Sequence, residues 1–152
     1  MASSSPRHYS ALSFLFPLFF TLLAAAVASP NRPNGFGDVF VFDTVLRVGP
    51  EANSTYVGKA QGVTFAVSRR DVSLLIPLLL VFTEGEFANS TLTIIGKMDG
   101  AGKADRAIIG GTGRFRFAWG NAVSEVISSS AEGLIAVFDV YVVHHAGVRP
   151  YP

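Results

Sequence analysis

Between Ile108 and Gly120 the chain reads Ile-Ile-Gly-Gly-Thr-Gly-Arg-Phe-Arg-Phe-Ala-Trp-Gly, and two kinds of chemistry compete for it. Glycines at 110, 111 and 113 could cradle a phosphate on backbone N–H groups, given a following helix and a Lys-Ser or Lys-Thr pair. Neither follows. Instead Phe115, Phe117 and Trp119 fall two apart, the spacing of one strand face. The stretch therefore predicts a hairpin with a glycine corner and an aromatic face. Such a face is either plain core or the wall of a pocket that grips a flat ligand. Other reactive residues are few. The absence of Cys excludes thiol catalysis, disulfide exchange and most structural zinc sites. His144 and His145 are neighbours on a predicted strand, so they point to opposite faces and do not easily chelate one ion. No metal and no cofactor is expected, since neither a ligand cluster nor a haem attachment pattern is present.

The elements that must position these residues begin after the N-terminus. Arg7 and His8 precede an uncharged apolar run from Leu12 to Ala26, and Ala26-Val27-Ala28 offers small residues for cleavage. Residues 1–28 thus read as a secretory signal peptide, with an uncut anchor as the alternative. The later apolar run, Leu74 to Phe82, is too short for a span and contains Pro77, so no membrane association is expected after cleavage. Roughly 124 residues remain, enough for one domain with a moderate core. Loss of Arg7 balances acids and bases, which argues against nucleic-acid binding. The sequons Asn53-Ser54-Thr55 and Asn89-Ser90-Thr91 fit a secreted, glycosylated protein.

Residues 29–37 read as a flexible leader rich in Pro, Asn and Gly. Val39 to Val48 predicts a strand with Phe40, Phe42, Thr44 and Leu46 on one face and Val39, Val41, Asp43 and Val45 on the other. Thr55 to Ser68 predicts a long strand with Gly58 and Gly62 at a bulge or corner. Leu74 to Thr83 predicts a strand buried on both faces and interrupted by Pro77, and Thr91 to Ile95 a short one. Gly96 to Lys103 reads as a loop, and the aromatic hairpin runs from Arg106 to about Ile127. Ser128 to Gly133 reads as a polar turn before a last strand, Leu134 to His145. The domain is expected to span 38–147, with a loose tail at 148–152. Seven or eight strands at hairpin spacing, without a helix or disulfide, predict an all-β antiparallel barrel, with a sandwich as the alternative. A small barrel can hold one ligand in its mouth.

Six stretches occur in the order seen in plant dirigent proteins. They are Phe36-Gly-Asp-Val-Phe-Val-Phe-Asp43, Val57-Gly-Lys-Ala-Gln-Gly62, Val81-Phe-Thr-Glu-Gly85, Ser90-Thr-Leu92, Ile109-Gly-Gly-Thr-Gly-Arg-Phe115 and Val140-Tyr-Val-Val-His144. The chain resembles that family over essentially all of the predicted domain. The resemblance implies an eight-stranded antiparallel β-barrel of the allene-oxide-cyclase-like kind. It also implies secretion to the apoplast and assembly as a homodimer or homotrimer. Its implied partners are phenoxy radicals or quinone methides, such as those of coniferyl alcohol, with the oxidation done by a separate laccase or peroxidase. The protein itself steers their coupling toward one stereoisomer, as in lignan biosynthesis. Some relatives instead close a pterocarpan ring by dehydration.

Carried onto this chain, the resemblance makes Asp43 and Asp105 the candidate acid–base or phenol-binding groups. Phe42, Thr44, Phe87, Phe115, Phe117 and Trp119 are the candidate pocket walls, and Asn53 and Asn89 the candidate glycosylation sites. The departures are specific. Where the family reads Asp-Asp or His-Asp in the first strand, this chain has Asp43-Thr44, and adjacent strand residues face opposite ways, so Asp43 cannot simply replace the acid missing at Thr44. Arg114 stands where an acid often follows the glycine turn. An expected arginine is Trp119, and an expected tyrosine is Phe87. Proton chemistry is weakened by these changes, whereas stacking is not. A barrel without redox groups can still direct a coupling by holding two flat radicals in one orientation. About 1.4 kcal/mol between the two faces of attack gives a tenfold preference. The alternatives are a dehydratase or cyclase of the pterocarpan-forming type and a non-catalytic defence or cell-wall binding barrel.

Overall fold

The computed structural model describes residues 33–130 and 133–144, together with the backbone of three short strands before them. Those three are β1 (Ser10–Ser13), β2 (Leu18–Leu22) and β3 (Ala24–Val27). The rest of the sheet comprises β4 (Val39–Arg47), β5 (Tyr56–Ala66), β6 (Ser73–Leu75), β7 (Leu78–Phe82), β8 (Ser90–Ile95), β9 (Lys97–Asp99), β10 (Lys103–Thr112), β11 (Trp119–Ser130) and β12 (Gly133–His144). All pairings are antiparallel, and the long strands follow one another around the sheet as β4-β5-β7-β8-β10-β11-β12. The expected all-β antiparallel barrel is the fold observed.

Period-two alternation sets the inside and outside. On β4, Phe42, Thr44 and Leu46 are buried while Val41, Asp43 and Val45 are exposed, as the sequence predicts. β7 and β8 repeat the pattern with Leu78, Leu80 and Phe82 and with Ser90, Leu92 and Ile94 pointing in. Where strands cross closely, glycine is required. A Cβ on Gly58 would lie 2.0 Å from the Val81 carbonyl oxygen, so no side chain fits there.

β4 and β12, the two ends of this curled sheet, do not pair with each other among the described residues. β2 lies in the seam between them, paired with β12 from Leu134↔Leu22 to Phe138↔Leu18 and with β4 at Phe19↔Arg47 and Phe20↔Leu46. β3 continues along β4, and β1 along the far end of β12. The expected signal peptide, 1–28, lies partly outside the described residues; the parts described are strands laddered onto the barrel. Val39 is therefore not the start of the first strand. The leader expected at 29–37 is described from Pro33 on, and it is tied down rather than free. Pro33–Gly35 forms a 3-10 turn, and Gly37 N–H donates to the Ala66 carbonyl at 2.8 Å. The expected tail, 148–152, is outside the described residues.

Three local expectations are corrected. The apolar stretch after Val72 splits into β6 and β7, because Pro77 cannot donate to a ladder. The loop expected at Gly96–Lys103 contains β9, whose three residues pair with β6. The polar turn expected from Ser128 is instead strand through Ser130, paired as Ser128↔Ile135, Ser129↔Leu134 and Ser130↔Gly133. Backbone pairing to a strongly β-prone partner outweighs the turn preference of serine there.

Candidate functional site

The barrel interior is packed across its middle and open at two ends. On β4, β5 and β7 the middle residues, Thr44 with Leu46, Ala60 and Leu80, are buried and line neither opening. One end holds a cavity of about 210 Å³ and the other a cavity of about 230 Å³. Both walls are overwhelmingly apolar.

The first cavity is built on an aromatic cluster. The turn Gly85–Phe87 after β7 brings in Phe87, with Gly85 at φ 76, a backbone that side-chain-bearing residues rarely adopt. The turn Gly113–Phe115 after β10 brings in Phe115, which is 1% exposed. Gly113 sits at φ 60, where an added Cβ would lie 2.6 Å from both the Asn89 carbonyl oxygen and the Ser90 hydroxyl, and the Ser90 hydroxyl accepts the Arg114 N–H at 3.1 Å. The Phe87 and Phe115 rings stack at 5.0 Å and 27°, Phe82 lies 5.5 Å from Phe115, and His144 meets Phe115 edge-on at 5.6 Å. Val48, Val57, Leu92 and Val140 complete the apolar wall, and the exposed Glu84 and Glu86 stand at its rim. Glu86 is 4.0 Å from Arg114, an exposed pair at the mouth.

The aromatic face expected from Phe115, Phe117 and Trp119 does not exist as a face. The chain turns at 113–115, Phe117 adopts φ 63, and the strand resumes only at Trp119. Phe115 points in, whereas Phe117 is 72% exposed and Trp119 62% exposed. Neither lines either of these two cavities. The two candidate acids are also outside. Asp43 faces solvent beside Lys59 at 3.7 Å, and Asp105 accepts a hydrogen bond from the Asn121 amide at 3.1 Å on the outer face of β10. Thr44 points inward into the packed middle, and Phe42 lines the second cavity. Of the eight candidate catalytic and binding residues, the first cavity gathers only Phe87 and Phe115. Asn53 lies in the exposed turn between β4 and β5, and Asn89, also exposed, adopts φ 63 just before β8.

The second cavity contains a residue the sequence reading passed over. Arg106 is 3% exposed, its Nη2 donates to the Ser124 hydroxyl, and its guanidinium carbon lies 4.9 Å from the centre of the Phe138 ring. Its Nε has no hydrogen-bond partner among the described residues. Burial lowers its pKa from the ordinary arginine range to about 10, which leaves it charged at neutral pH. Gly96 makes the space: a Cβ there would lie 2.5 Å from Arg106 Cγ. The signal was present, because Ala104, Arg106 and Ile108 alternate with Asp105 and Ala107, and an inward Ile108 carries Arg106 inward with it.

Comparison with known proteins agrees with the fold and the motifs. The family described as Dirigent-like protein matches residues 20–143. Pterocarpan synthase 1 of Glycine max is 37% identical over 125 residues, covering 75% of this chain and 67% of its own. Dirigent protein 21 of Arabidopsis thaliana is 39% identical over 117 residues, covering 75% of this chain and 62% of its own. The chain thus spans about two-thirds of the length of these relatives. A solved pterocarpan synthase dirigent protein superposes with a TM-score of 0.78 at 32% identity, covering 96% of this chain and 98% of that one. The ordered motifs, the antiparallel barrel and these likenesses converge, and the chain belongs to the dirigent family.

Proposed function

We propose that this chain binds phenoxy radicals or quinone methides of the coniferyl-alcohol kind and imparts stereoselectivity on their coupling, while a separate laccase or peroxidase removes the electrons. The observation that carries this reading is the aromatic-walled cavity of Phe82, Phe87 and Phe115, with both candidate acids outside it. Stacking and burial fix the orientation of a flat guest there. Orientation alone is sufficient to select one face of attack in a radical coupling. The protein acts in the apoplast as a secreted, glycosylated homodimer or homotrimer. The reading 1–28 as an export signal, the exposed sequons and the outward apolar residues Val41, Val45, Val123 and Tyr141 support that setting.

A second reading, a dehydratase or cyclase of the pterocarpan-forming type, is favoured by the likeness to pterocarpan synthase 1. Its acid–base groups are then Glu84 and Glu86, the carboxylates beside the first cavity, rather than Asp43 and Asp105.

The test runs two reactions side by side. Purified protein is added to laccase and coniferyl alcohol, and the products are resolved by chiral chromatography. In parallel it is incubated with an isoflavanol and no oxidant. An enantiomeric excess in the first supports coupling; turnover in the second, with racemic coupling products, replaces it with the cyclase reading.

A further inference from the structure

We propose that the cavity at the Arg106 end of the barrel is a second binding site, selective for a single-ring aromatic carboxylate. It is separate from the aromatic cavity and does not depend on the coupling reading.

Arg106 is buried in a wall otherwise made of Phe40, Phe42, Leu74, Ile76, Met98, Phe138 and similar side chains, with Thr64 and Ser124 as the other polar groups. A guanidinium carries five N–H donors. Its partners among the described residues are a hydroxyl and a ring face, both neutral, and one donor, Nε, has none. No described carboxylate forms an ion pair with it. The sequence has no acid before Asp38 and none after Asp139. Glu132 is outside the described residues. A buried cation without a counter-ion is costly, and an anion bound in the cavity removes that cost.

The shape of the site narrows the anion. A carboxylate matches the planar fork of a guanidinium and carries the single charge needed to neutralise it; a dianion would leave an excess charge among apolar walls. The rings of Phe40, Phe42 and Phe138, with the Met98 thioether, suit an aromatic body. Benzene fits an apolar cavity of about 150 Å³. The observed 230 Å³ leaves space for a short acid-bearing chain beyond one ring.

The experiment is calorimetric titration of the full chain with 4-hydroxycinnamate, its methyl ester and the corresponding alcohol. The acid is expected to bind at least tenfold more tightly than the two neutral compounds. Arg106→Met should bring all three to one affinity, and Arg106→Lys should keep only part of the preference. Thr64→Phe, which fills the cavity and keeps the arginine, should weaken the acid without altering the stereochemistry of coupling. Equal affinity of the three compounds in the unmutated protein, no binding of the acid, or an acid preference that survives Arg106→Met overturns the site. A racemic coupling assay with the acid preference intact sinks the proposed function and leaves this site standing.

Discussion

Arg106 lies over the Phe138 ring at 4.9 Å, and no carboxylate among the described residues pairs with it. The ring face and the Ser124 hydroxyl recover part of the hydration that burial removes, but not all. The folded-state pKa, about 10, is below the ordinary arginine value, so the folded protein holds this proton less tightly than the unfolded chain does. The charge therefore opposes folding. The opposition is complete below about pH 10 and fades as pH rises from there toward the ordinary arginine pKa. Arg106→Met is expected to stabilise the ligand-free protein by ~1–3 kcal/mol, since an apolar side chain of similar length suits these walls. Urea denaturation of both proteins at pH 7 measures the gap, and repeating it above pH 10 should show the gap shrinking.

The aromatic cluster predicts unequal costs for its members. Phe115 is 1% exposed and touches Phe82, Phe87 and His144, so Phe115→Ala should cost ~3–5 kcal/mol through the cavity it leaves. Phe87 is half-buried at the mouth, and Phe87→Ala should cost ~1–2 kcal/mol while reducing any enantiomeric excess several-fold. Equilibrium unfolding and chiral product analysis on the same preparations separate the two effects.

Asp43→Asn and Asp105→Asn should each leave stability within ~0.5 kcal/mol and the product enantiomers unchanged. Asp43 forms an exposed pair with Lys59, and Asp105 an exposed hydrogen bond with Asn121. A loss of stereoselectivity in either variant would move the chemistry to the outer face of the barrel. If the cyclase reading holds, Glu84→Gln or Glu86→Gln should lower turnover of a closed-shell substrate.

The three glycines of the 110–113 cluster should not respond alike. A Cβ on Gly110 meets nothing within 4 Å, whereas one on Gly113 would lie 2.6 Å from the Asn89 carbonyl oxygen at a φ of 60. Gly110→Ala should be tolerated within ~0.5 kcal/mol. Gly113→Ala should cost more than ~1 kcal/mol and loosen the Phe115 turn. Thermal denaturation of the two variants checks the contrast.

Much of the barrel was legible where alternation is strict, as in Val39 to Arg47, because one residue in two must face the core. The glycine corner was legible as a corner and misleading beyond it. Spacing alone places Phe115, Phe117 and Trp119 together only if the strand is unbroken, and a positive φ at Phe117 breaks it. Ser128 to Ser130 were misread because ladder pairing with residues 133–135 is a tertiary fact that local preference does not contain. Arg106 was overlooked for the opposite reason: its position was periodic and readable, but a charge is presumed outside unless its neighbours are followed strand by strand.

One consequence concerns the seam. Within the stretch that resembles an export address, Leu18–Leu22 is also the stave that joins the two margins of the barrel, and Ala24–Val27 lies along one of them. A chain trimmed at Ala28 loses that stave and bares two facing margins, along Val39–Arg47 and Leu134–Phe138. Bare margins recruit backbone from elsewhere. If that stretch is cut away as an export signal, the trimmed molecule is left hungry for a borrowed strand.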